Sequence, residues 1–210
     1  MDSQARLACS WFDAHAEEEQ RRLGRRWDNV MDSVGLLIRN HWRRTMPKIL
    51  LIQGPNMSYL GRRQPELYGE TTAAELDAML LGHARANKYE LGIFYTQSES
   101  EAIARLYRAV DEGIDGLVMN PAAFLFAGFA LRDCLRAVPL PYVEVHMTNI
   151  EKRGLRSILA ETGVGLIAGF GVQSYVLGLE AMLRHVSGKR EARSRPPRKR
   201  GRSRARRPGE

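Results

Sequence analysis

The amino-acid sequence predicts an α/β domain built on a parallel sheet, and three observations predict it. Short apolar runs of strand length recur along residues 49–169, several of them ending at Gly, Asn or His. Stretches with helical spacing of apolar side chains lie between them. Strands that alternate with helices imply right-handed crossovers and parallel pairing.

The elements follow in order. Residues 49–53 are an Ile and Leu run short enough to be a buried parallel strand, broken by Gly54-Pro55. A helix is predicted over about 72–87, with Thr72 as N-cap, Glu75 completing a capping box, and Leu76, Met79 and Leu80 on one face. Residues 89–96 form a second strand. A helix over about 100–111 turns Ile103, Leu106 and Val110 inward. Residues 116–119 form the third strand, and one helix is predicted over about 126–136. Residues 142–146 and 165–169 are the fourth and fifth strands. The last helix runs over about 172–185.

Three segments emerge along the chain. Residues 46–187 are the patterned domain. Residues 1–45 are a helix-prone, charged extension, to be helical or disordered if translated. Met46-Pro47 is a natural initiation point, so an upstream start codon is the competing explanation. Residues 188–210 are rich in Arg, Pro, Ser and Gly and are expected to be disordered. Residues 189–210 hold eleven Lys and Arg and two Glu, a net +9 within a chain total of +8. The body is therefore near neutral at −1, and the basic character belongs to the tail. Interleaved Arg, Ser and Pro without aromatic residues suits phosphate contact, so the tail is expected to bind polyanions non-specifically.

Composition excludes several classes. Cys9 and Cys134 make neither a disulfide framework nor a metal-ligand spacing, which points to a reducing, cytoplasmic setting. No apolar run approaches the ~18 residues of a membrane span. No cationic start with an apolar core marks a secretory signal.

Chemistry-bearing residues cluster after the predicted strands. Ligands of open α/β sheets sit at the carboxyl ends of the strands. The first strand leads into Asn56, Arg63 and Tyr68, the third ends at Asn120, and the fourth ends at His146. Period-two alternation puts Glu144 on the same side as His146, where a carboxylate can fix the imidazole tautomer. By spacing alone, Tyr68 reads as a turn tyrosine and Arg63 as a solvated charge.

The motifs around these residues carry a family resemblance. They are Gln53-Gly54-Pro55-Asn56, then Leu60-Gly61-Arg62-Arg63-Gln64-Pro65-Glu66-Leu67-Tyr68-Gly69, Thr71-Thr72, Gln97-Ser98, Asn120-Pro121-Ala122, Ala130-Leu131-Arg132-Asp133, Glu144-Val145-His146 and Gly169-Phe170-Gly171. Taken together, in collinear order over roughly 47–186, they resemble the type II 3-dehydroquinate dehydratases (type II dehydroquinases). The resemblance implies a flavodoxin-like three-layer fold with a five-stranded parallel sheet. It implies a lyase that dehydrates 3-dehydroquinate to 3-dehydroshikimate through an enolate, with no cofactor and no metal. It implies Tyr68 as the base, Arg63 as the group that holds it as its anion, His146 as the acid and Asn56 as an organiser of the enolate site. It implies substrate contacts from Asn120, from the backbone of Met147 and Thr148, from an arginine best matched by Arg156, and from Asp133 reaching a neighbouring subunit. A homododecamer is implied with it.

The sequence departs from the family pattern at Leu125-Phe126-Ala127-Gly128, where the family has a polar run containing a substrate-contacting histidine. Phe126 takes that histidine's place. The segment after Arg153 is shorter, and Gln53 and Gln64 replace the common Asn and Glu. These departures leave two further readings: a dehydratase for a related cyclic hydroxy-keto acid, or a catalytically weakened paralogue. A nucleic-acid-binding or assembly role, motivated by the tail, is the reading from a different class.

Overall fold

The computed structural model describes residues 46–194, with side chains to 188; the extension over 1–45 and residues 195–210 lie outside them. The apolar runs form five strands: β1 (Lys48–Gln53), β2 (Glu90–Tyr95), β3 (Gly116–Asn120), β4 (Tyr142–His146) and β5 (Gly165–Ala168). They pair in parallel in the order β2-β1-β3-β4-β5. This is the flavodoxin-like order, in which the chain reverses its direction of travel across the sheet between β1 and β3. The crevice at that reversal is where the fold places ligands.

Helices cover both faces. After β1 come a 3₁₀ turn (Met57–Tyr59), the short α1 (Pro65–Tyr68) and α2 (Ala73–Ala86); then α3 (Glu99–Asp111), α4 (Phe124–Ala127), α5 (Phe129–Ala137), a 3₁₀ turn (Ala160–Thr162) and α6 (Gln173–Ser194). Alternation sorts the strand residues between the layers. Ile49, Leu51, Val118, Val143 and Val145 pack under α2 and α6 with Leu76, Leu80, Leu179 and Met182. Leu50, Ile52, Leu117, Met119 and Tyr142 pack under α3 and α5 with Leu106, Leu131 and Leu135. β3 and β4 are buried along their whole length, as expected of strands covered on both sides.

Local chemistry explains the boundaries. Thr72 Oγ1 accepts from the Glu75 N–H, and the Glu75 carboxylate accepts from the Thr72 N–H, so the expected capping box is present. Gly54 ends β1 because its N–H bonds Asn120 O and a Cβ there would meet Pro121 O at 2.3 Å. That contact ties the loop after β1 to the loop after β3. Gly178 has a similar role on α6, where a Cβ would come within 2.4 Å of Val145 Cγ1. The close approach seats α6 against β4.

Three expectations are corrected. The helix expected over 126–136 begins earlier and is two helices, α4 and α5, interrupted at Gly128, whose N–H closes the first on Phe124 O. On α3 the buried stripe is Ala102, Leu106 and Ala109, while Val110 is exposed; small alanines let the helix sit close to the sheet and rotate the stripe by one position. The final helix continues past His185 to Ser194, into the segment expected to be disordered. Among the described residues no helix is long and apolar enough to cross a membrane.

Candidate active site

β4 supplies one wall of the site. Tyr142, Glu144 and His146 alternate onto one face of the strand, as period two requires. Glu144 is 0% exposed. Its Oε1 lies 2.6 Å from His146 Nε2, and its Oε2 accepts a hydrogen bond from the Tyr142 hydroxyl at 2.7 Å. A buried carboxylate must be paired or hydrogen-bonded to be tolerated, and here each oxygen has a partner. Burial, then the adjacent Glu144 charge, push the Tyr142 phenol well above its usual range, so it remains a protonated donor. With Nε2 committed to Glu144, Nδ1 is the His146 nitrogen left for a ligand. The sequence expectation that Glu144 and His146 share a side is met by direct contact.

β3 supplies the floor. Asn120 is buried at the end of the strand. Its Nδ2 donates to the Tyr175 hydroxyl at 2.8 Å, and its Oδ1 accepts from the Ala122 N–H at 3.1 Å. Tyr175 in turn donates to Gln53 Oε1 at 2.8 Å. The chain of bonds orients the Asn120 amide from behind. Burial pushes the Tyr175 phenol up, partly offset by its bonds to Asn120 and Gln53.

The loops after β1 and β4 supply the opposite wall. Gln64, at φ 39°, and Pro65 at the first helical position turn the chain into α1, which ends at Tyr68. The Arg63 guanidinium lies over the Tyr68 ring at 5.0 Å from its centroid. A second guanidinium, Arg153, lies at 5.9 Å from the same centroid. Its terminal nitrogen is 2.9 Å from Thr148 Oγ1 and 3.4 Å from the Tyr68 oxygen, the latter a long and weak bond. Two guanidiniums therefore pack against one phenol ring at the wall of the site.

These walls face each other across one cleft that opens to solvent. A concave site with a few convergent polar groups on an otherwise apolar lining suits a small organic molecule. Arg63, Tyr68, Asn120, His146, Met147, Thr148 and Arg153 line its polar side. Leu125, Phe126, Ile150 and Leu155 line an apolar side, and Phe126 is 58% exposed at its rim. The arrangement presents a phenol, an imidazole and two guanidiniums to one small cleft.

Three predicted residues do not line it. Asn56 is exposed, held at φ 69° with its N–H on Gln97 Oε1, and does not line the cleft. Asp133 is exposed on α5, outside this chain's cleft. Arg156 is exposed and outside it too, whereas Arg153 is inside. The reason is a turn: the Gly154 N–H bonds Glu151 O, the Leu155 N–H bonds Ile150 O, and Gly154 takes φ +68°. That turn folds Arg153 back over Tyr68 and carries Arg156 away. Sequence reasoning missed Arg153; its position shortly after the end of β4 was the available signal. It also missed Tyr142, whose place two residues before Glu144 pointed to it.

Comparison with known proteins bears on this geometry. The sequence model of the family described as Dehydroquinase class II matches residues 47–183. The chain is 40% identical over 147 residues to the 3-dehydroquinate dehydratase of Ectopseudomonas mendocina, covering 69% of this chain and 99% of that protein. The crystal structure of the type II dehydroquinase from Butyrivibrio crossotus superposes with a TM-score of 0.64 at 29% identity, over 66% of this chain and 99% of the other. That of the type II dehydroquinase from Propionibacterium acnes gives 0.61 at 33% identity, over 68% and 98%.

Proposed function

The chain belongs to the class II dehydroquinase family, and on that premise we propose that it is a lyase removing water from 3-dehydroquinate, with Tyr68 as base and His146 as acid. One observation carries the assignment of roles. Tyr68, under two guanidiniums, and His146, backed by a buried carboxylate, open into the same cleft. A base and an acid in unlike surroundings are what an elimination beside a ketone requires.

The Tyr68 oxygen takes the proton from the carbon next to the ketone, and the electron pair of that bond becomes the enolate. The enolate collapses to form the ring double bond, the carbon–oxygen bond to the leaving hydroxyl breaks, and His146 gives that oxygen its proton. Water and 3-dehydroshikimate result. Arg63 and Arg153 stabilise charge on the Tyr68 oxygen, and polar groups at the end of β3, with Asn120 foremost, face the developing enolate. The Met147 and Thr148 amides hold the substrate carboxylate. Arg153 rather than Arg156 is the arginine placed to meet substrate.

Assay of the full chain on 3-dehydroquinate, following the absorbance of the conjugated product, tests the reading. Turnover without added metal or nucleotide is the expected result, and no conversion of 3-dehydroquinate would refute it. Phe126 supports a second reading. An apolar ring at the rim leaves one hydrogen-bond donor fewer for a substrate hydroxyl, which suits a related cyclic hydroxy-keto acid lacking it. Faster turnover of such an acid than of 3-dehydroquinate would favour that reading.

The assembly is a homo-oligomer, a dodecamer by resemblance, in which Asp133 serves a neighbouring copy. Its exposure outside its own cleft supports this, as do Phe126 and Phe129, both more than half exposed. Cys134, free and buried, fits a reducing cytoplasmic setting.

A further inference from the structure

Tyr142 has a hydroxyl with a single purpose visible in the structure. The residue is 1% exposed and does not line the cleft, so it cannot touch a substrate held there. Its hydroxyl donates to Glu144 Oε2 at 2.7 Å, while Glu144 Oε1 meets His146 Nε2 at 2.6 Å. The three side chains form a line running from inside the sheet layer to the wall of the cleft. The ring itself packs with Leu117, Met119 and Leu135, where phenylalanine would serve equally well as an apolar filler. The hydroxyl is therefore the part that needs an explanation.

We propose that Tyr142 is a positioning residue for the acid step, holding the Glu144 carboxylate so that His146 keeps its orientation toward the cleft. An ionised carboxylate is acceptor-only, and one sealed from water needs protein donors on both oxygens. Without the Tyr142 hydroxyl, Oε2 loses its donor. The carboxylate is then free to rotate away from His146 to seek another partner, which loosens the imidazole. That movement weakens the step in which a proton passes to the leaving hydroxyl. It does not touch Tyr68, which is held by α1, Arg63 and Arg153 on the opposite wall.

The inference rests on His146 as the acid, so the test separates the two. Full-length wild type, Tyr142→Phe, His146→Ala and the core control Val143→Ala are compared for two rates with 3-dehydroquinate. One is dehydration; the other is exchange of the proton beside the ketone with deuterated solvent. Val143 lies on the other face of the same strand, in the layer under α2 and α6. In Tyr142→Phe, dehydration kcat falls about tenfold, the scale typical of partners that orient a functional histidine. KM stays within about twofold and exchange is retained. Val143→Ala leaves the ratio of the two rates at the wild-type value whatever it does to stability. Proportionate loss of exchange and dehydration in Tyr142→Phe, or loss of neither, would overturn the proposal. Loss of both in equal measure in His146→Ala would overturn the acid role and the proposal with it. Retained exchange in His146→Ala alongside proportionate loss in Tyr142→Phe would leave the acid role standing and remove Tyr142 alone. A second comparison covers poor folding of the single variant. Adding Tyr142→Phe to Glu144→Gln leaves the exchange-to-dehydration ratio of Glu144→Gln unchanged, because Tyr142 acts only through the carboxylate; a further drop would overturn the proposal.

Discussion

The two walls of the cleft are built in opposite ways. On β4, Tyr142, Glu144 and His146 sit on a strand buried along its whole length, and both oxygens of the carboxylate are bonded. On the facing loops, Tyr68 is half-buried, and its oxygen has only a long contact to Arg153. The β4 wall is fixed by buried hydrogen bonds, and its parts are structural as well as functional. The loop wall is more exposed and is held mainly by guanidinium contacts with the Tyr68 ring. Substitutions should therefore separate activity from stability on the loops and lower both on the strand.

Tyr68→Phe is the largest test of that contrast. Activity should fall by about 10²–10⁴-fold, the usual weight of a general base, with the melting temperature unchanged. Retention of more than a tenth of the activity would show that Tyr68 is not the base. His146→Ala should also cut dehydration steeply, but with a cost in stability of about 1–3 kcal/mol, because Glu144 Oε1 is left buried without its partner. Denaturant titration measures this; an unchanged midpoint would erase the distinction between the walls.

The next test lies within the loops. Arg153→Ala and Arg63→Ala should each slow turnover by about tenfold, as expected for loss of one cation stabilising charge on the Tyr68 oxygen. Arg156→Ala should do far less, because Arg156 lies outside the cleft. A larger loss from Arg156→Ala than from Arg153→Ala would reverse that placement. Phe126→His restores a donor at the rim and should raise kcat/KM for 3-dehydroquinate by an amount of order 1 kcal/mol of transition-state stabilisation. A fall in kcat/KM would instead mark Phe126 as adapted to the substrate this enzyme uses. The smallest effect on catalysis should come from deleting residues 195–210: no change in kcat, with weaker and less salt-sensitive retention on a polyanion column.

The amino-acid sequence by itself determined the alternation of strands and helices, because a period of two or of 3.6 is a local property of consecutive residues. It also placed Glu144 beside His146, since strand periodicity alone puts them on one side. The Thr72–Glu75 cap and the stop at Gly54 were legible for the same reason: each depends on neighbours within a few positions or on backbone that only glycine can spare. Tertiary structure decided what depends on the path of a loop or on contacts between distant segments. The turn at Gly154, with φ +68°, selects Arg153 over Arg156, and that choice is invisible in a run of Lys, Arg and Gly. Asn56 stays outside the cleft lining, on backbone at φ 69° whose N–H bonds Gln97 from another loop. Gly128 ends a helix that the spacing of apolar residues would carry through. The Tyr142 hydroxyl shows the division most plainly. Period two puts it on the face of Glu144, but only a sheet covered by α3 and α5 shuts out water, and it is the absence of water that makes one phenolic donor matter to a buried carboxylate.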